Sequence, residues 1–322
     1  MKSFEYQQPA SVEKALEFAA EGGRIKAGGT DLLGLMKNEI ESPGTIVNLS
    51  GIEELKRIEE RPNRGFSIGA LASLADVTTH SGIRKRFPLL AQAAGSAASP
   101  QIRNVGTMGG NLCQRPRCWY FRGDFDCLRK GGDTCFAVDG KNKFHCVVGG
   151  SPCYIVHPSD TAVALLALNA TLLIRDSKGQ RPVPISQFFV LPEKDVTRET
   201  ILKQGEILTA IQVPGPPPGN RSVFLKTSER GVFDFATLSV AIQADVRGNV
   251  FHSARVVLGG VAPIPWFEKN VSEALNGIAL SNETAIRKAS DQALKDAEPL
   301  EENGFKIKLA RNLVYQAIMK LL

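Results

Sequence analysis

All six cysteines of this 322-residue chain, Cys113, Cys118, Cys127, Cys135, Cys146 and Cys153, lie within residues 113–153, and the rest of the chain has none. Disulfides that staple a fold are not confined to one short stretch, and a chain of this length buries enough apolar surface to need no staples. Thiols gathered this way point to a metal centre. The stretch is hydrophilic and too short to build its own core, so something must order it. Four thiolates around an iron–sulfur cluster would do so. Zinc is the rival metal, and disulfides or free thiols the third reading. Arg115, Arg117, Arg122, Arg129 and Lys130 share the stretch; they are expected to lower the thiol pKa values and offset a cluster's negative charge.

On either side the chain reads as ordinary globular protein, with 43% hydrophobic and 22% charged residues, which excludes disorder. No apolar run reaches the ~20 residues of a membrane-spanning helix, and the N-terminus has no secretory pattern. The expectation is a cytoplasmic chain without a membrane span, periplasmic only if exported with a partner carrying the signal. The formal charge of +6 is spread along the length, without the basic stripe or reading motif of a nucleic-acid binder.

Helical periodicity marks residues 11–21, with Ser11 as N-cap and Gly22–Gly23 as the stop. A short strand at 24–27, a helix at 32–37 and a strand at 45–48 complete a small α/β unit. A strand at 68–71 and helical structure from 75 to 94 follow, then a small-residue loop at 95–112. Beyond the cysteines, regular structure is expected at 154–157, a helix at 159–168 and a strand at 170–175. The run from Val213 to Asn220, with three consecutive prolines, reads as a linker. Strands at 222–226, 237–246 and 251–258, then helices at 282–297 and 306–321, suggest a separate α+β domain.

Two glycine loops carry further chemistry. Lys26-Ala27-Gly28-Gly29-Thr30-Asp31-Leu32 sits at a strand-to-helix turn, where two glycines let the backbone approach a ligand and aim N–H groups at one anion. The Thr30 hydroxyl adds a donor, and the following helix N-terminus favours a phosphate. Gly106-Thr107-Met108-Gly109-Gly110-Asn111-Leu112 repeats the logic. Neither is the dinucleotide fingerprint G-x-G-x-x-G. No nucleophile–histidine–carboxylate spacing supports hydrolysis, and His145 and His157 read as structural.

With Ala-Gly-Gly-Thr-Asp-Leu near residue 30, Ile-Arg-Asn-Val-Gly-Thr-Met-Gly-Gly-Asn-Leu at 102–112 and Pro-Ser-Asp at 158–160, the chain resembles, over nearly its whole length, the flavoproteins of the xanthine dehydrogenase and carbon monoxide dehydrogenase family. The resemblance implies an α+β fold. An FAD-binding domain of the PCMH, vanillyl-alcohol-oxidase type would occupy 1–219, with subdomains of about 1–57 and 58–219. A CO dehydrogenase flavoprotein C-terminal α+β domain would occupy 220–322. It implies that Ala27, Gly28, Gly29, Thr30, Asp31 and Leu32 cradle the FAD pyrophosphate on one side, and Thr107, Gly109, Gly110 and Asn111 on the other. Asp160 would sit near the adenosine or ribityl end, Leu208 against the isoalloxazine region, and Lys226 near the flavin ring.

In the simplest members of this family the Gly-Gly-Asn loop runs almost directly into Pro-Ser-Asp, so 113–153 is an insert. It is similar to that of flavin subunits with an additional [4Fe–4S] cluster, found in bacterial aldehyde oxidoreductases and 4-hydroxybenzoyl-CoA reductase. Cys-Trp-Tyr-Phe-Arg at 118–122, Asn-x-x-His at 142–145 and His-Pro-Ser-Asp at 157–160 resemble the aldehyde oxidoreductase type. That type implies Cys118, Cys127, Cys135 and Cys153 as ligands; the reductase type implies a ligand near Cys146 in place of Cys127. The implied role is electron relay. A large partner subunit would oxidise the substrate at a molybdenum cofactor, so no catalytic residue is assigned here. A small partner's [2Fe–2S] clusters would pass electrons to this chain, and FAD would hand them to an external acceptor. A self-contained flavin oxidase and a zinc-stapled interaction module are the alternatives.

Overall fold

A computed structural model describes residues 1–322, the side chain of Arg64 excepted. The first unit runs β1 (Glu5–Gln7), α1 (Val12–Ala20), β2 (Arg24–Lys26), α2 (Leu32–Lys37) and β3 (Thr45–Asn48). Its three strands pair in parallel in the order β1-β3-β2. Helix α1 starts where the Ser11 hydroxyl accepts the Lys14 N–H, and it buries Val12, Ala15, Leu16 and Ala19 on one face.

The second unit contains β4 (Ile58–Glu60), β5 (Phe66–Gly69), α3 (Leu74–Thr79), α4 (Ser81–Arg86), α5 (Pro88–Ser96), α6 (Pro100–Val105), α7 (Met108–Leu112), α8 (Trp119–Arg122), α9 (Asp160–Ala167), β6 (Thr171–Asp176), β7 (Gly179–Pro184) and β8 (Ile207–Val213). Its five strands are antiparallel, ordered β4-β5-β8-β6-β7. The stretch expected as a glycine-rich loop at 95–112 holds two short helices instead. Ser99 and Thr107 cap them by accepting the Ile102 and Gly110 N–H groups, so capping outweighs the low helix preference of glycine. Residues 154–157 form no strand or helix; their backbone joins loops, as where the His157 N–H donates to the Ala262 carbonyl.

The third unit has β9 (Asn220–Thr227), β10 (Leu238–Arg247), β11 (Val250–Gly259), β12 (Trp266–Phe267), α10 (Lys269–Ala274), α11 (Glu283–Ser290) and α12 (Phe305–Met319). Its antiparallel sheet, β12-β11-β10-β9, is covered on both faces. Along β10 and β11 the alternation splits two cores: Val240, Ile242, Val256 and Leu258 face the C-terminal helices, while Ala241 and Val257 join the core around α9. Every residue of α9 is buried, as its uniformly apolar run after Asp160 and Thr161 demands. Arg255 of β11 closes that helix by donating to the Leu166 and Ala167 carbonyls. Among the described residues no helix is long and apolar enough to cross a membrane.

The 113–153 insert lies between these units and borrows from both. Phe121 and Cys127 share a small core with Leu35 of α2. On the other side Lys306 of α12, 1% exposed, donates to the carbonyls of Phe144, His145 and Gly260, and Asn303 donates to that of Cys146.

The third unit also contains a buried carboxyl. Glu268 is 3% exposed, and burial pushes its pKa up to about 7, although the Leu294 N–H donates to it. A folded pKa above the unfolded one gives stability that is full below about pH 4.5 and is lost as pH rises towards 7. Glu268→Gln should therefore flatten the stability profile between those limits. Denaturant midpoints should show it more stable than the parent chain at pH 7.5, by on the order of 1–3 kcal/mol, and nearly equal at pH 4.5.

Candidate cofactor sites

The two glycine loops meet. A Cβ on Gly28 would collide with the Val105 carbonyl oxygen and crowd Gly106, and one on Gly110 would press on the Thr107 hydroxyl and approach Ala27. Gly29 takes φ +78°, open to glycine at little cost. The second loop is fixed from behind: Met108 and Gly109 N–H groups donate to the Ala72 and Ala70 carbonyls, and Leu74 N–H to that of Gly106.

Together the loops line a cavity of about 680 Å³, within the range of cofactor clefts. Ala27, Gly28, Gly29, Thr30, Asp31, Leu32, Thr107, Gly109, Gly110 and Leu208 all line it. So do Lys26 of the first glycine loop, Cys113 and Arg115 of the cysteine stretch, Gly205-Glu206-Ile207 leading into Leu208, and two segments the sequence did not single out, 197–200 and 202–204. No local motif marks those segments; the fold of the second unit carries them there. A glycine turn at 27–32 with no room for a side chain at Gly28, closed by the second loop, suits the diphosphate of a dinucleotide such as FAD.

Three residues expected at the cofactor do not line this cavity. Asn111 spends its side-chain oxygen on the hydroxyls of Ser159 and, at 2.6 Å, Thr161, bracing the start of α9. Asp160 borders a second cavity of about 190 Å³ that Arg117, Trp119, Phe235 and Thr237 also line. Burial raises its pKa, against the pull of Lys226, whose Nζ stands 2.7 Å away and also donates to the Ser96 carbonyl. Lys226 is thus a paired, largely buried lysine.

Asp31 does not cap α2 with its side chain, and α2 has only six residues. Its carboxylate instead accepts from the Arg115 backbone N–H at 2.8 Å, Arg117 Nη1 at 2.8 Å and Arg122 Nη2 at 2.7 Å.

Cys118, Cys127, Cys135 and Cys153 line one small cavity walled by Phe121, Arg129, Phe136, His145 and Tyr154. Cys113 instead faces the large cavity, and Cys146 is fully buried outside both. Cys113 and Cys118, spaced like a zinc knuckle, therefore face different cavities. Among the described residues no three His, Cys, Asp or Glu side chains gather as a site for a single metal ion. A lone zinc needs its donors within roughly 4 Å of one another, whereas a cluster carries each thiolate on a separate iron, spread around a cavity.

The polar surroundings fit that group. Backbone N–H groups of Tyr120 and Phe121 point at the Cys118 sulfur, and those of Ala137 and Tyr154 at Cys135. Arg129 gives Nη1 to Glu199 at 2.7 Å, while its buried Nε and Nη2 and the His145 Nδ1 have no hydrogen-bond partner. The buried Arg129 donors beside four sulfurs are what sulfide and thiolate acceptors would satisfy. His145 Nε2 lies 3.2 Å from the Cys118 sulfur; burial, then Lys306, pushes its pKa down to about 4, so it is neutral. His157 is likewise pushed down to about 4 by burial and donates to the Leu112 carbonyl.

The expectation that neighbouring arginines lower the thiol pKa values is overturned for most of them. Burial pushes Cys118 up to about 11 and Cys113 up to about 12, and raises Cys146 further. Arg115, Arg117 and Arg122 face Asp31 and Glu199 rather than the sulfurs. Cys135 is lowered, to about 6, chiefly by the neighbouring Cys153 thiol.

Residues 2–216 match the family of FAD binding domains in molybdopterin dehydrogenase, and residues 223–321 the CO dehydrogenase flavoprotein C-terminal domain. The chain is 36% identical to the aldehyde oxidoreductase FAD-binding subunit PaoB of Escherichia coli, over 97% of this chain and 96% of that protein. It is 28% identical to the carbon monoxide dehydrogenase medium chain of Hydrogenophaga pseudoflava, over 98% and 96%. Carbon monoxide dehydrogenase from the same organism, solved without the Mo-pyranopterin moiety of its cofactor, superposes with a TM-score of 0.78 at 27% identity, covering 98% and 96% of the two chains.

Gly28→Ala should force the two loops apart and cut flavin retention after desalting at least tenfold, read by flavin absorbance per chain. Gly34→Ala, where a Cβ meets nothing within 4 Å, should retain flavin unchanged and gain slightly in stability from its better helix propensity.

Proposed function

This chain belongs to the FAD-binding medium subunits of the molybdenum hydroxylases, and we propose that it relays electrons through FAD and a [4Fe–4S] cluster in an aldehyde oxidoreductase type of complex. It is an oxidoreductase subunit with an FAD-binding domain. In the proposed complex a small [2Fe–2S] subunit and a large molybdenum-cofactor subunit are its partners, and an external acceptor takes the electrons. The aldehyde reading rests on the 36% identity to PaoB along nearly the full length of both chains. Residues 1–219 would be the FAD-binding domain, with the insert at 113–153, and 220–322 the C-terminal domain.

For the cluster, the supporting observation is that four of six cysteines line one cavity with unpartnered Arg129 donors and the His145 Nε2 around it. Cys118, Cys127, Cys135 and Cys153 would be the ligands. The loop at 27–32 would hold the FAD diphosphate by backbone N–H groups and the loop at 107–110 would close on its other side, with Leu208 in the same cavity and Asp160, Lys226 and Asn111 supporting it from behind. Bound there, the two groups supply the redox chemistry. The chain's own task is positioning. Arg129 and His145 present N–H donors to the sulfurs, and Phe121, Phe136 and Ile155 exclude water from them. Because burial holds the Cys118 thiol protonated, cluster assembly must release a proton there.

Iron, acid-labile sulfide and flavin analysis of the purified chain with whatever copurifies tests the proposal. About four irons and one FAD per chain are expected. Cys135→Ser should lose the iron, while Cys113→Ser and Cys146→Ala should keep it. Iron lost with Cys146 but kept with Cys127→Ser would select the reductase type of ligand set. A colourless chain with one zinc would remove the relay, and a flavoprotein that purifies without partners and turns over alone would make it an autonomous oxidase.

A further inference from the structure

Asp31 belongs to the glycine loop of the large cavity, yet everything its carboxylate holds comes from the cysteine insert: the Arg115 N–H, Arg117 and Arg122. A bare carboxylate beside a bound diphosphate would repel it, and guanidinium groups at 2.7–2.8 Å cancel that charge. A second strut runs alongside. Arg129, at the cysteine cavity, pairs with Glu199; Glu199 also takes Arg115 at 3.1 Å; and Glu199 and Arg115 both line the large cavity. A third link is apolar: Leu35, one turn into the helix that begins at Asp31, is 1% exposed and packs on Phe121 and Cys127.

We propose that the insert is a brace for the flavin cradle, with Asp31 the positioning residue through which an ordered cysteine cavity sets the affinity for FAD. This rests on the reading of the two cavities as FAD and cluster sites. Two sites joined through shared struts must be coupled reciprocally. A cluster that orders the insert strengthens FAD binding, and bound FAD slows loss of the cluster.

The test is a thermodynamic cycle on the full chain in the complex in which it purifies. FAD dissociation constants are measured by flavin fluorescence before and after the iron is stripped by a chelator with mild oxidation, in the parent protein and in Asp31→Asn. Stripping should weaken FAD binding at least tenfold in the parent and less than threefold in D31N. An unchanged FAD affinity in the stripped parent, or an equal loss in both proteins, overturns the proposal. If stripping unfolds the chain, the reciprocal measurement decides. Iron release from the loaded parent to a chelator should be at least threefold slower with FAD present, and equal rates with and without FAD overturn the coupling. A preparation that never contained iron or flavin counts against the underlying reading instead, so the two failures are told apart at the first analysis.

Discussion

The backbone of Gly28 lies directly against that of Val105 and Gly106, with no space for a side chain between them, and the large cavity exists because of that contact. One loop comes from the parallel sheet of the first unit, the other from between two helices tied to the end of β5. Each is held from behind, by α2 and its small core on one side and by the Ala70 and Ala72 carbonyls on the other. The shape of the cradle is therefore set before any ligand arrives, and little conformational entropy is lost on binding.

Around the cysteines, burial rather than charge dominates. The insert holds seven lysines and arginines, but three guanidinium groups are committed to carboxylates on the flavin side, and desolvation lifts the thiols that the cation count had suggested would be acidic. Arg129 is the exception: largely buried, paired with Glu199, and beside Cys153. Even there the Cys153 thiol is raised, by its neighbour Cys135 and then by burial, so one cation in contact does not outweigh the surroundings.

The legible parts of this molecule were those encoded locally. Ser11, the period of α1, the apolar run of α9 and the alternation along β10 and β11 fix their elements without help from distant residues. The cysteine cluster and both glycine loops were visible for the same reason. What escaped was set by tertiary context. The caps at Ser99 and Thr107 turn a glycine-rich stretch into two short helices, and β7 is paired by a strand on only one side. Glu199 and the rest of the 197–204 lining reach the cavity only through the fold. The bracing of α9 by Asn111 and the pairing of Asp160 with Lys226 were likewise hidden. Motif position alone cannot reveal where a side chain's hydrogen bonds go.

Leu35 shares its core with Phe121 and Cys127, and Lys306 and Asn303 feed their donors to carbonyls of the insert. The insert is therefore not a detachable cassette. Excising it to imitate a shorter flavin subunit would bare an aliphatic face on α2 and strand a buried ammonium on α12, in segments far away in sequence. A lineage gaining or losing such an insert must rewrite those two helices with it, and substitutions at 35, 303 and 306 are where that history would be recorded.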